Sequence, residues 1–180
     1  MNLPNKITIA RMCMIPVFLV FMLTDLVPGS RYVAAAIFII ACLTDALDGH
    51  LARKNHLVTN FGKFMDPLAD KLLVCSALIC FAAQNLVPAW IIIVIISREF
   101  IISGFRLVAS DSGIVIAASY WGKFKTTAQM IMAILLIVHF ENPIFAVLEQ
   151  IFIWLSLLLT VISLVDYIYK NRQVILEGSM

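Results

Sequence analysis

The chain reads as an all-α integral membrane protein, a bundle of six transmembrane helices with both termini in the cytoplasm. Its 180 residues are 62% hydrophobic and 13% charged, with a mean hydropathy of +1.00. That leaves too little polar surface for a water-soluble fold of this size. Polar and Pro/Gly punctuation divides the sequence into six apolar segments, each close to the ~20 residues that a helix needs to cross the hydrocarbon core. Connections are short and no repeat or linker marks off a second unit, so residues 1–180 read as a single domain. With 7 Gly, 6 Pro and 4 Cys, disorder, collagen-like repeats and a disulfide scaffold are excluded.

The first segment, residues 8–25, follows Lys6 and Arg11 and is succeeded by no small-residue cleavage site, so it reads as a span rather than a secretory signal. The second covers 32–52 and the third 64–84. Asp66-Pro67 fits the start of that third helix, because proline is tolerated in a first turn. The remaining segments are 88–109, 122–140 and 148–169. Cys13, Cys42, Cys75 and Cys80 lie inside apolar stretches without metal-ligand or disulfide spacing and read as small core residues. Trp90, Tyr120, Trp121, Trp154, Tyr167 and Tyr169 fall mostly near predicted helix ends, where amphipathic rings settle at a membrane interface.

The basic residues orient the bundle. Lys6, Arg11, Arg53, Lys54, Lys63, Lys123, Lys125, Lys170 and Arg172 lie at the termini or at the second and fourth connections, whereas the other connections hold only Arg31. The positive-inside rule puts the first group in the cytoplasm. A net charge of +2, scattered between apolar runs, offers no basic face for nucleic acid.

The end of the second segment and the start of the third are acidic where they ought to be apolar. Thr44, Asp45, Asp48 and Gly49 precede Arg53, and Gly62 precedes Asp66 and Asp70. Such charges are costly in a membrane unless they face protein, water or a metal. Asp45 and Asp48 are spaced i,i+3, and Asp66 and Asp70 i,i+4, so each pair projects from one helical face. Antiparallel neighbours joined by a connection of about ten residues bring the pairs to similar depth. Four converging carboxylates call for cations. Hard divalent ions such as Mg²⁺, Mn²⁺ or Ca²⁺ suit them, two being a plausible number, and such a site suits phosphate-ester transfer. Gly49 and Gly62 leave room for a bulky ligand, and Arg53 stands one turn beyond Gly49, within reach of a diphosphate.

These residues form the pattern D-x2-D-G-x2-A-R-x8-G-x3-D-x3-D, carried by Asp45, Asp48, Gly49, Ala52, Arg53, Gly62, Asp66 and Asp70. The pattern resembles the signature of the CDP-alcohol phosphotransferase family. The resemblance implies transfer of a phosphatidyl group from CDP-diacylglycerol to an alcohol, releasing CMP. It implies Asp45, Asp48 and Asp66 as ligands of Mg²⁺ or Mn²⁺, two ions in all, with Asp70 as general base and a further member of the metal set. It also implies Asn5, Thr44, Gly49, Ala52, Arg53 and Gly62 as the nucleotide and diphosphate surroundings, a multi-pass place in the cell membrane with the site facing the cytoplasm, and a homodimer.

Arg98 and Arg106 lie eight residues apart, about 80° around an ideal helix. With Lys123 and Lys125 they form a set of four cations suited to an anionic acceptor such as glycerol 3-phosphate. The stretches Ser97–Phe100 (S-R-E-F), Gly122–Gln129 (G-K-x-K-T-x-x-Q) and Leu3–Arg11 (L-P-N-x-I-T-x-x-R) resemble the bacterial branch of the family whose acceptor is glycerol 3-phosphate. Bland readings stand beside these. Arg98 and Glu99 also read as intramembrane charges that hold helices together, though neighbours diverging by ~100° would each need a different partner. Lys123 and Lys125 also read as positive-inside anchors. Two rival functions remain: a sibling transferase using inositol phosphate, serine or phosphatidylglycerol, and a divalent-cation transporter.

Overall fold

In a computed structural model of the chain, the apolar segments become α1 (Leu3–Leu23), α2 (Ser30–Asn55), α3 (Asn60–Ala83), α4 (Ala89–Asp111), α5 (Tyr120–Val138) and α6 (Pro143–Lys170). The structure describes the backbone of residues 3–55, 60–111 and 119–172. It describes the side chains there apart from those of 3–7, 45–55, 60–67, 70, 108, 110 and 111. Among the described residues there is no strand, and the fold is all-α with six helices.

Three helix starts differ from the sequence reading by four residues or more. α1 begins at Leu3 rather than at 8. α3 begins at Asn60, so Pro67 lies inside the helix and Asp66-Pro67 does not open it. Asn60 to Lys63 supply a further helical turn, and only 56–59 separate α2 from α3, not a connection of about ten. α6 begins at Pro143 because Asn142 caps it: its side chain accepts from the Ile144 N–H at 2.9 Å, and proline occupies the first turn. The end of α3 has its own stop. Asn85 takes φ +58°, Leu86 N–H donates to Phe81 O and Asn85 N–H to Ala82 O, a Schellman closure with asparagine at the left-handed position.

The chain divides into two compact units: Met1–Leu86 with Leu136–His139, and Val87–Leu135 with Phe140–Met180. In the first, α1 packs along both α2 and α3, which touch each other more sparingly. Its buried stripe, Thr8, Arg11, Ile15, Phe18 and Met22, recurs every three or four residues, the helical period of one face. Phe18 meets Phe38 of α2 with ring centroids 5.9 Å apart, and Ala34 and Ala41, one turn to either side of Phe38, are fully buried. Arg11, read from sequence as a charge at the membrane edge, is only 2% exposed within this stripe. Gln84 Nε2 donates to Met22 O at 2.8 Å, tying the end of α3 to that of α1.

In the second unit α4 packs on α6. The buried stripe of α6 is largely polar, comprising Glu149, Ile153, Ser156, Thr160, Ser163 and Tyr167. Its outward residues, among them Ile151, Trp154, Leu158, Val161 and Val165, are exposed and apolar. The helix is thus polar inside and apolar outside, an arrangement suited to a lipid surround. In water each such Leu, Ile or Val would forgo roughly 1.5–3 kcal/mol of burial. Thr160 Oγ1 settles its polarity locally, donating to Ser156 O at 2.6 Å. Among the described residues α6 is the one helix long and apolar enough to cross a membrane by length and composition. Thr8–Leu23, Ser30–Thr44 and Lys71–Ala83 are further apolar helical stretches among the described residues. All four cysteines are free thiols. Tyr167, expected at an interface, is instead 4% exposed, with its ring edge-on to Phe105 at 5.7 Å.

Candidate active site

The acidic residues belong to the first unit. Asp45, Asp48, Gly49, Ala52 and Arg53 all fall on the last turns of α2, and Gly62, Asp66 and Asp70 on the first turns of α3. The i,i+3 and i,i+4 spacings therefore lie on helices, one turn apart in each pair. The side chains of these eight residues and of Asn5 lie outside the described residues. Among those described, no group of three or more His, Cys, Asp or Glu gathers. Thr44 is half-buried, and its hydroxyl donates to Ala41 O at 2.8 Å, one turn back.

A separate basic cluster is built in the second unit. Arg98 on α4 donates through Nη1 to Glu99 Oε1 at 2.8 Å, and through Nη2 to the hydroxyl of Ser163 on α6. The same Glu99 oxygen accepts from Lys125 Nζ on α5. Arg98 and Glu99 therefore pair with each other, and each also reaches a separate helix, Arg98 to Ser163 on α6 and Glu99 to Lys125 on α5, as neighbours diverging by ~100° should. Arg98 is 8% exposed and Lys125 2%, so the ion pairing takes place away from solvent. Gly122 faces this cluster. A Cβ there would lie 3.5 Å from Arg98 Nη2 and 3.8 Å from Ser163 Oγ, ordinary contact distances.

One turn further along α6, the guanidinium of Arg106 lies 5.9 Å from the centre of the Tyr167 ring. Both arginines therefore address the same stripe of α6, as the eight-residue spacing on α4 allows. Lys123 stands apart, exposed on α5. The structure thus joins Arg98 and Lys125 through Glu99, sets Arg106 against Tyr167 and leaves Lys123 on the surface. Ser163, Tyr167, Ser119 and Asp166 were not foreseen as parts of this region. Asp166 accepts from Ser119, just before α5, and pairs with Lys170 at 2.8 Å, linking the start of α5 to the end of α6. The missed signal was the recurrence of Ser156, Thr160 and Ser163 at helical spacing within a run of Leu, Ile and Val.

Residues 1–162 match the CDP-alcohol phosphatidyltransferase family. The chain belongs to that family. The match runs over both units and includes the aspartate signature, Arg98, Glu99 and Lys125. Over 184 aligned positions the chain is 47% identical to the CDP-diacylglycerol–glycerol-3-phosphate 3-phosphatidyltransferase of Bacillus subtilis, covering 94% of this chain and 95% of that protein. It is 36% identical to the enzyme of the same name from Haemophilus influenzae, covering 98% and 97%. It is also 36% identical to that of Rickettsia bellii, covering 92% and 93%. As a CDP-alcohol phosphatidyltransferase the chain is a membrane-associated transferase of phospholipid synthesis, in keeping with the apolar outer face of α6.

Proposed function

We propose that this chain transfers the phosphatidyl group of CDP-diacylglycerol to glycerol 3-phosphate, giving phosphatidylglycerophosphate and CMP. The observation that carries this reading is near-full-length identity of 47% to a relative named for that reaction, in a chain holding the whole aspartate signature at the end of α2 and the start of α3. We take residues 1–180 as one catalytic domain, supported by a family match that runs unbroken from residue 1 to 162. The bundle crosses the cell membrane six times, with both termini and the site on the cytoplasmic side, and works as a homodimer. The distribution of Lys and Arg supports the orientation.

Asp45, Asp48, Asp66 and Asp70 would hold two divalent ions, Mg²⁺ or Mn²⁺. The donor set fits, being all carboxylate, with the free cysteines dispersed on other turns. When bound, the metal supplies charge neutralisation for the diphosphate and the departing CMP. Asp70 takes the proton of the acceptor hydroxyl as its oxygen forms a bond to the lipid-side phosphorus. The bond from that phosphorus to the CMP phosphate oxygen breaks, and CMP leaves with its electron pair. Asn5, Thr44, Gly49, Ala52, Arg53 and Gly62 surround the nucleotide and diphosphate. Arg98, Arg106, Lys123 and Lys125 supply the positive side for the acceptor phosphate.

Product analysis tests the reading. Purified protein in mixed micelles with CDP-diacylglycerol is offered glycerol 3-phosphate, inositol phosphate, serine or phosphatidylglycerol. Lipid product with the first alone supports it, and product with another acceptor instead identifies a sibling transferase. Divalent-ion flux in liposomes lacking CDP-diacylglycerol, without any lipid product, replaces it with a transporter.

A further inference from the structure

We infer that Glu99 is a positioning residue for acceptor recognition, holding Arg98 and Lys125 side by side while Ser163 sets the rotation of the guanidinium. The inference rests on the proposed transfer to glycerol 3-phosphate and adds two residues to it.

One carboxylate oxygen of Glu99 serves both cations. Groups that share a single acceptor atom are held close, and without the negative charge between them the ammonium and guanidinium repel. A purely structural lock would join helices. The Lys125–Glu99 pair does so, but the Arg98–Glu99 bond links neighbours on α4 and ties no second helix. What it does is fix where the guanidinium lies. Ser163 fixes the other arm from α6. With both terminal nitrogens held, the planar group has one orientation, and its buried Nε has no hydrogen-bond partner among the described residues. Such a fork, oriented beforehand and with a donor in reserve, is what recognition of phosphate oxygens requires.

The test uses the full chain in mixed micelles, with the unsubstituted protein as the first arm. Glu99→Gln keeps the shape of the side chain and removes its charge. It is expected to raise the KM for glycerol 3-phosphate about tenfold or more while the KM for CDP-diacylglycerol stays within about twofold, the split that loss of a charge-assisted phosphate grip produces. Glu99→Asp is expected to recover part of that loss. Ser163→Ala is expected to raise the acceptor KM about threefold with kcat little changed. This second variant decides the matter if Glu99→Gln does not fold. An acceptor KM that is unchanged or lowered, or equal changes in both KM values, overturns the inference while leaving the transfer reading intact. Absence of transfer by the unsubstituted chain removes that reading and the inference together.

Discussion

Lys125 on α5 and Glu99 on α4 form an ion pair whose lysine side chain is 2% exposed and whose glutamate is 18% exposed. The buried ammonium depends on that carboxylate, since water does not reach it, while without Lys125 the part-buried carboxylate keeps Arg98 as its cation. Lys125→Met should therefore cost about 3 kcal/mol of stability, near the lower end for a broken buried pair because Arg98 remains beside Glu99. Thermal unfolding in detergent checks this. A melting temperature equal to that of the unsubstituted protein would show that the pair contributes nothing.

Asp70→Asn should leave the fold intact and reduce turnover about 100-fold or more, the usual contribution of a positioned general base. Steady-state CMP release, set beside an unchanged melting curve, reads the effect. Substantial retained turnover removes Asp70 as the base.

Asp48→Ala takes one oxygen ligand from the proposed metal set. Activity should then require a higher concentration of Mg²⁺ or Mn²⁺ by about tenfold or more, and chelator should abolish transfer by the unsubstituted protein. A titration that superimposes on the original curve would refute the role of Asp48.

Lys123 is exposed on α5 while Lys125 is buried two residues later. If Lys123 grips the acceptor phosphate, Lys123→Ala should raise the KM for glycerol 3-phosphate by about threefold to tenfold and leave that for CDP-diacylglycerol nearly unchanged. Equal changes in the two would mark it as a membrane-edge anchor.

Gly122→Ala adds a methyl group at contact distance from Arg98 and Ser163. Because alanine favours the helix by about 1 kcal/mol over glycine, the variant should melt at or slightly above the original temperature. A clear drop in melting temperature would mean that the cluster has no room at that point.

The six helices were legible because each apolar run is bounded by polar or Pro/Gly punctuation, and their type follows from length. Boundaries slipped where a helix runs on past polar or glycine punctuation, as at Asn60, Gly62 and Lys63, or where a cap was overlooked, as with Asn142-Pro143. That each acidic pair lies on a helix was legible from spacing, while the signature itself came from resemblance to the family. The arrangement around Glu99 was not legible. Helical angle locates Cβ atoms and sends neighbours ~100° apart toward different helices, but it does not reveal that a long arginine arm also bends back to the glutamate beside it. The burial of Arg11 and Tyr167 was missed for a related reason: an amphipathic side chain near a helix end suits an interface and a packed face equally well, and packing chooses between them.

Incorporation of radiolabelled glycerol 3-phosphate into lipid, measured with purified protein and CDP-diacylglycerol in the presence and absence of divalent ion, tests the account most directly. It predicts label in phosphatidylglycerophosphate with an equal amount of CMP released, only when the ion is present. Labelled lipid formed equally well in chelator, or none formed under any ion while another alcohol is consumed, would contradict it.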